Sequence, residues 1–220
     1  MNVGAFTKQL RLLRFKNAFN PYVDCCVLYD GPDAPARRAE MIEAILRRAH
    51  QGGVDSIWIG RDLGHRGGRR TGLALTDDIH FELHLRRWGL QFCSPTRGIP
   101  VAERTAAVIW QMLSRVEARV FLWNVFPLHP HEPGDPFSNR SHNALERKAG
   151  EEILHELARM LRPAHIVAIG NDASDVANRV LPDLPIHRVR HPSYGGQSQF
   201  ISQIRDIYAL HAGNKQPLLL

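Results

Sequence analysis

Three short stretches of the chain, SIWI at 56–59, VFLW at 120–123 and HIVAI at 165–169, are apolar at most of their positions, and a fourth, IHRV at 186–189, at half of them. A strand covered on both faces turns no side of its pleat to water, so runs of this kind predict core strands. Around them, apolar residues at helical spacing predict helices over 36–51, 101–117, 142–161 and 196–212. The spacing is clearest in the third, through Leu145, Ile153, Leu154, Leu157 and Leu161, and Pro163 stops it. Residues 1–20 read as an amphipathic basic helix. Strand and helix in alternation predict a parallel sheet. A length of 220 residues suits one domain with a full core.

In such sheets a ligand binds beyond the carboxyl ends of the strands, and here three of those ends are polar. The first strand runs into GRDLGHRGGRRTGLAL, from Gly60 to Leu75; the second into Asn124 and a loop rich in Pro and His. The fourth runs into Arg190, His191, Pro192 and Ser193. After the third come Gly170, Asn171 and Asp172, which serve equally well as a helix cap. Arg66, Arg69 and Arg70 stand among Gly67, Gly68 and Gly72, where the backbone can approach an anion closely. Contact with phosphate is the expectation, a solvated charge run the alternative.

Charge supports an anionic partner without identifying it: 28 Lys and Arg oppose 22 Asp and Glu, a net +6 that is mostly arginine. No apolar run is long enough to span a bilayer and the start has no signal-peptide pattern, so a cytoplasmic protein is expected, nucleoid-associated if bacterial. Cys25, Cys26 and Cys93 form neither a disulfide framework nor a zinc spacing, which fits a reducing compartment, with Cys25 and Cys26 read as buried thiols in the apolar segment CCVLY; three cysteines are too few for a four-cysteine iron–sulfur cluster. Neither a P-loop nor a G-x-G-x-x-G fingerprint fits residues 60–72. His80 and His84 stand four apart, but Phe81 holds the place of the zincin Glu, so a surface pair is expected rather than a metal site. His129, His131, Glu132 and Asp135 likewise read as an ordinary loop. No metal or other cofactor is expected.

The order strand then GRDLGHRGGRRTGLAL, strand then FLWNVFPL, strand then AIGNDA, strand then VRHPSYGG resembles the uracil-DNA glycosylase superfamily over about residues 55–207. The best-known family's first motif, G-Q-D-P-Y-H running on to Gly-Leu-Ala-Phe, aligns without a gap, placing Asp62, His65, Gly72, Leu73 and Ala74 in register. The resemblance implies a single domain over 1–220, with 1–54 a helical extension packed on it. The implied fold is a three-layer α/β/α sandwich with a parallel four-stranded central sheet.

The implied activity is DNA repair: hydrolysis of the N-glycosidic bond of uracil, and of other deaminated or modified bases, in DNA, leaving an abasic site. Asp62 matches the carboxylate beside the sugar, His191 the imidazole that bonds the departing base, and Asn124 the amide that reads the uracil edge. Gly64, Leu75 and His65 complete the base site. Arg66, Arg69, Arg70, Ser193 and Tyr194 are the expected DNA contacts, with Ser193 in a phosphate clamp and Tyr194 either an inserted aromatic or a core anchor. The sequence departs from the best-known family at Gly64, where a Tyr shields the pocket against a 5-methyl group, and at Leu75, where a Phe stacks on uracil. Leu63 replaces a Pro, and Tyr194, Gly195 and Gly196 replace a Pro and an apolar wedge. Gly64 is therefore expected to open the pocket to larger bases. No lysine falls in the matched motifs, so a Schiff base and strand cleavage are not expected. DNA is the expected partner, of a monomer. A DNA-binding protein without turnover and a hydrolase of free nucleosides or nucleotides are the other readings.

Overall fold

The structure, a computed structural model, describes residues 2–210; the end of the predicted fourth helix and the tail QPLLL lie outside the described residues. Helix α1 (Val3–Leu12) is capped by Asn2, whose side chain accepts from Ala5 N at 2.8 Å. It is shorter than the 1–20 helix expected. Asn20 explains the stop, because its Nδ2 donates to the Leu10 and Leu13 carbonyls at 2.8 and 3.2 Å and so satisfies the last turn.

The chain continues through strand β1 (Ala18–Phe19), helix α2 (Ala34–Gly52), strand β2 (Ser56–Asp62) and the short helices α3 (Gly68–Thr71) and α4 (Phe81–Arg87). Helix α5 (Arg104–Leu113), strand β3 (Val120–Phe126), strand β4 (His129–Pro130) and helix α6 (Ala144–Leu161) follow. Strand β5 (His165–Ile169), helix α7 (Asn171–Val180), strand β6 (Ile186–Val189) and helix α8 (Gln197–Ile207) complete it. Helix α5 starts later than the predicted 101 because the Val101 and Glu103 N–H groups donate to Asp78 and Asp77 carboxylates, at 3.0 and 2.6 Å, which holds this stretch extended.

The four predicted strands form one parallel sheet in the order β3-β2-β5-β6. Alternation along the strands sends Ile57, Ile59, Phe121, Trp123, Ile166 and Ala168 into one core, packed with residues of α1, α2, α6 and α7. Trp58, Leu122, Val167, Ile169 and Val189 point the other way, against α5 and α8. This is the three-layer α/β/α sandwich. Because β3 lies on one side of β2 and β5 on the other, the connections part at the carboxyl end of β2, the position at which such sheets open a crevice.

Candidate active site

A cleft of about 540 Å³ opens there. Asp62 from the end of β2, Gly170 after β5, and His191 and Ser193 after β6 all line it. A second groove, of about 740 Å³, adjoins it and shares Glu103, Thr105, Asn139, Ser193 and Tyr194 with it.

Asp62 is held from two sides. Arg61 Nε donates to its Oδ2 at 2.7 Å, and His142 Nδ1 lies 2.5 Å from its Oδ1. The carboxylate is thus fixed in one orientation and kept almost entirely from bulk water. Sequence reasoning missed His142; it precedes the cap Asn143, whose box with Glu146 is legible as N-x-x-E.

His191 is also set by its neighbours. The Ser193 N–H donates to its Nδ1 at 3.2 Å, and Ser193 Oγ lies 2.7 Å away. A ring nitrogen that accepts a backbone N–H carries no proton of its own, so Nε2 is the donor of the neutral ring. Burial, with Arg61 and Arg190 adding to it, lowers the His191 pKa below the ordinary histidine value, which keeps the ring neutral at pH 7. Ser193, expected at a phosphate, here orients the imidazole.

Asn124 does not line the cleft. It is buried behind Gly60, its partner across β2 and β3, and its Oδ1 has no hydrogen-bond partner among the described residues. A β-carbon on Gly60 would stand 2.5 Å from that oxygen and 2.8 Å from Leu75 Cδ2. Only glycine leaves room there, and Leu75, at a left-handed φ of 55°, packs over the same spot.

The expectation that Gly64 opens the pocket needs correction. A β-carbon at Gly64 would lie 3.0 Å from Glu103 Oε1, and one at Gly67 would overlap Glu103 Oε2. The space left by the missing side chain holds a carboxyl group. Burial pushes the Glu103 pKa up to about 7, Asp77 raising it further and Arg66 opposing. The sequence carried no signal for Glu103, because the contact joins the cap of α5 to a loop far away along the chain.

Arg69 and Arg70 are also corrected. Both are buried and neither reaches the cleft. The Arg69 guanidinium lies 4.1 Å from the Phe19 ring centre and 4.7 Å from that of Phe137, and it hydrogen-bonds the Tyr29 hydroxyl. Arg70 pairs with Asp78 at 2.7 Å and lies 4.2 Å from the Tyr29 ring centre. The pair staples the loop to the N-terminal segment. Arg66 is exposed and borders the second groove, as do Arg104 and His65. His65 is therefore outside the Asp62 cleft, bonded through its N–H to Asn139 Oδ1 at 3.0 Å.

His80 and His84 are not a surface pair. His84 is buried against Trp110 and Thr76, its pKa driven down to about 3 by that burial. The His80 ring is 2.6 Å from Asp77 Oδ1. His129 is buried, with Nδ1 2.8 Å from the Leu63 carbonyl, pinning the chain just after Asp62. Of the two cysteines expected to be buried, Cys26 is and Cys25 is exposed; Cys93 is exposed as well. Tyr194 is 96% exposed at the lip of both grooves, which removes the core-anchor reading. No helix among the described residues is long and apolar enough to cross a membrane.

The crystal structure of wild-type SMUG2 from Pedobacter heparinus is similar to this one, with a TM-score of 0.62 over 94% of this chain and 97% of that one, at 14% identity. At that identity the likeness bears on the fold. No match was found among curated proteins. The sequence model of the Uracil DNA glycosylase superfamily matches residues 58–207, about two thirds of the chain. That span begins inside β2, ends with α8 and contains the carboxyl end of every strand that meets the cleft, and on this ground the chain belongs to the uracil DNA glycosylase superfamily.

Proposed function

We propose that this protein is a monofunctional DNA glycosylase that removes uracil, flipped out of DNA, and leaves an abasic site. The observation that carries the reading is one cleft lined by both Asp62, fixed by Arg61 and His142, and His191, neutral with its free donor on Nε2. In the proposed reaction the bond from the sugar carbon to the base nitrogen breaks and its electron pair leaves with the base. The sugar becomes an oxocarbenium ion, stabilised by the Asp62 carboxylate; water adds to it to give the abasic sugar, and the proton the water gives up neutralises the departed base anion. The His191 Nε2–H donates to the oxygen on which the base's negative charge collects. A neutral imidazole does this without first surrendering a proton to solvent. No lysine lines the cleft among the described residues, so the proposal has no Schiff base and no strand cleavage.

The base lies with its 5-edge against Gly64 and its pairing edge toward Leu75, which lines the cleft in front of Asn124; displacing the Leu75 side chain is required before the unpaired Asn124 Oδ1 can accept a ring N–H. Tyr194 fills the gap left in the duplex, where an aromatic ring can stack on neighbouring bases.

DNA is held by exposed arginines in place of the buried pair. Arg66→Gln combined with Arg104→Gln is expected to flatten the dependence of log K on log salt by about 0.9 for each phosphate no longer neutralised. Arg69→Gln is expected to leave that slope unchanged and to lower stability; titrations at several salt concentrations, with thermal unfolding beside them, check both. The activity is tested by incubating the protein with duplexes carrying uracil or other lesions and with free deoxyuridine, and measuring released base. The proposal expects uracil from the duplex and none from the nucleoside. Release from the nucleoside alone would make the protein a nucleoside hydrolase.

A further inference from the structure

The Glu103 carboxyl is built into the wall of the cleft rather than left on a flexible arm. Its backbone N–H donates to Asp77 Oδ2 at 2.6 Å, and the other Asp77 oxygen holds the His80 ring, which stacks on Trp110 at 12° and 5.9 Å. The side chain packs on Gly64 and Gly67, where no side chain competes for the space. Its carboxyl makes no hydrogen bond or ion pair among the described residues, although it faces the cleft that holds Asp62 and His191. The side chain is part-buried and its oxygens are open to the cleft with no protein group bonded to them, so they are free to bond a ligand bound there.

We propose that Glu103 is a specificity-determining residue, whose carboxyl reads the base edge lying against Gly64 and accepts a hydrogen-bonding substituent there while refusing a methyl group. The inference rests on the proposed reading of the cleft as a base pocket. A methyl group would strip water from the carboxyl and return no bond; a hydroxyl in the same volume restores one. Near neutral pH the carboxyl passes between a form that donates and accepts and a form that only accepts. Asp77 and Arg66 act on that balance most directly; His65 and Arg104 line the same groove, and Asp62 and His191 the same cleft.

The test uses duplexes carrying uncleavable 2′-fluorinated nucleotides of 5-hydroxymethyluracil or 5-ethyluracil, which differ only by hydroxyl against methyl at the end of the 5-substituent, a hydroxyl that does not itself titrate near neutral pH. Because no bond breaks, the outcome does not depend on catalysis. Wild type is expected to bind the hydroxyl form about tenfold more tightly, the worth of one net hydrogen bond, with a ratio that changes between about pH 6 and about pH 8. Glu103→Ala should bring the two affinities within about twofold. Glu103→Gln, similar in shape but without a titrating proton, should keep a preference and lose its pH dependence. A wild-type ratio near one, or a ratio and pH dependence unchanged in Glu103→Gln, overturns the inference. Retained selectivity without any base release on natural substrates would instead sink the glycosylase reading and leave this one standing.

Discussion

Replacing His191 with alanine is expected to slow single-turnover base release by about 10²–10³-fold, the usual effect of removing one donor from a developing oxyanion. Affinity for uracil-bearing DNA should change little, since the hydrogen bond strengthens only as charge builds on the leaving base. The pH profile carries a second signature. Burial, Arg61 and Arg190 hold the His191 pKa below the ordinary value, so the ring stays neutral to a lower pH than a free histidine does. The step that His191 contributes to the pH profile should then lie on the acid side of the free-histidine value. Ser193→Ala removes the hydroxyl from Nδ1 but keeps the backbone N–H, and should cost less than His191→Ala. Equal losses of rate and affinity in His191→Ala would make it a binding residue.

The second large effect is on stability. Arg38 and Asp30 form an ion pair with both side chains fully buried, and Arg38 Nε also donates to the Arg70 carbonyl at 2.7 Å. Asp30→Ala strands a buried guanidinium and is expected to destabilise the protein by about 3–5 kcal/mol. In a chain of this size that lowers the melting temperature by about 10 °C, measurable by thermal or denaturant unfolding. The Arg38 bond to the Arg70 carbonyl ties the N-terminal segment to the loop after Asp62, as does the Tyr22 hydroxyl, which donates to the Gly72 carbonyl at 2.9 Å. Suppressors of Asp30→Ala should therefore replace Arg38 with an apolar residue, because two well-packed apolar groups can stand in for a buried pair.

What could be read from the sequence, and what could not, divides along the range of the interactions involved. Strands β2, β3 and β5 were legible because burial on both faces writes apolar runs into consecutive positions, whereas β6, at the sheet edge, exposes His187 and Arg188; the strand ends then pointed to Asp62 and His191. The arginines of GRDLGHRGGRRTG were not legible in the same way. Nothing local distinguishes Arg66, which faces solvent, from Arg69, whose guanidinium is enclosed by Phe19, Tyr29 and Phe137 from other parts of the chain. The His80 and His84 spacing likewise described a helix turn but not the Trp110 packed on it. Gly64 shows the same limit from the other side. Absence of a side chain reads as open space until a remote residue, Glu103, is found in it. Asn124 was legible as a strand-end amide, but its shelter behind Gly60 and Leu75 depends on the register of two strands and on a loop folded over them.

Hydrolysis of the bond between uracil and deoxyribose in this cleft is measured most directly with excess wild-type protein and a labelled duplex carrying one uracil. Free uracil is quantified, and the strand is sized before and after alkali. Uracil should be released in proportion to duplex, from a strand that is intact before alkali and cleaved at the former uracil position after it. Tight binding with no uracil released, or a strand already cut before alkali, would contradict the proposed reaction.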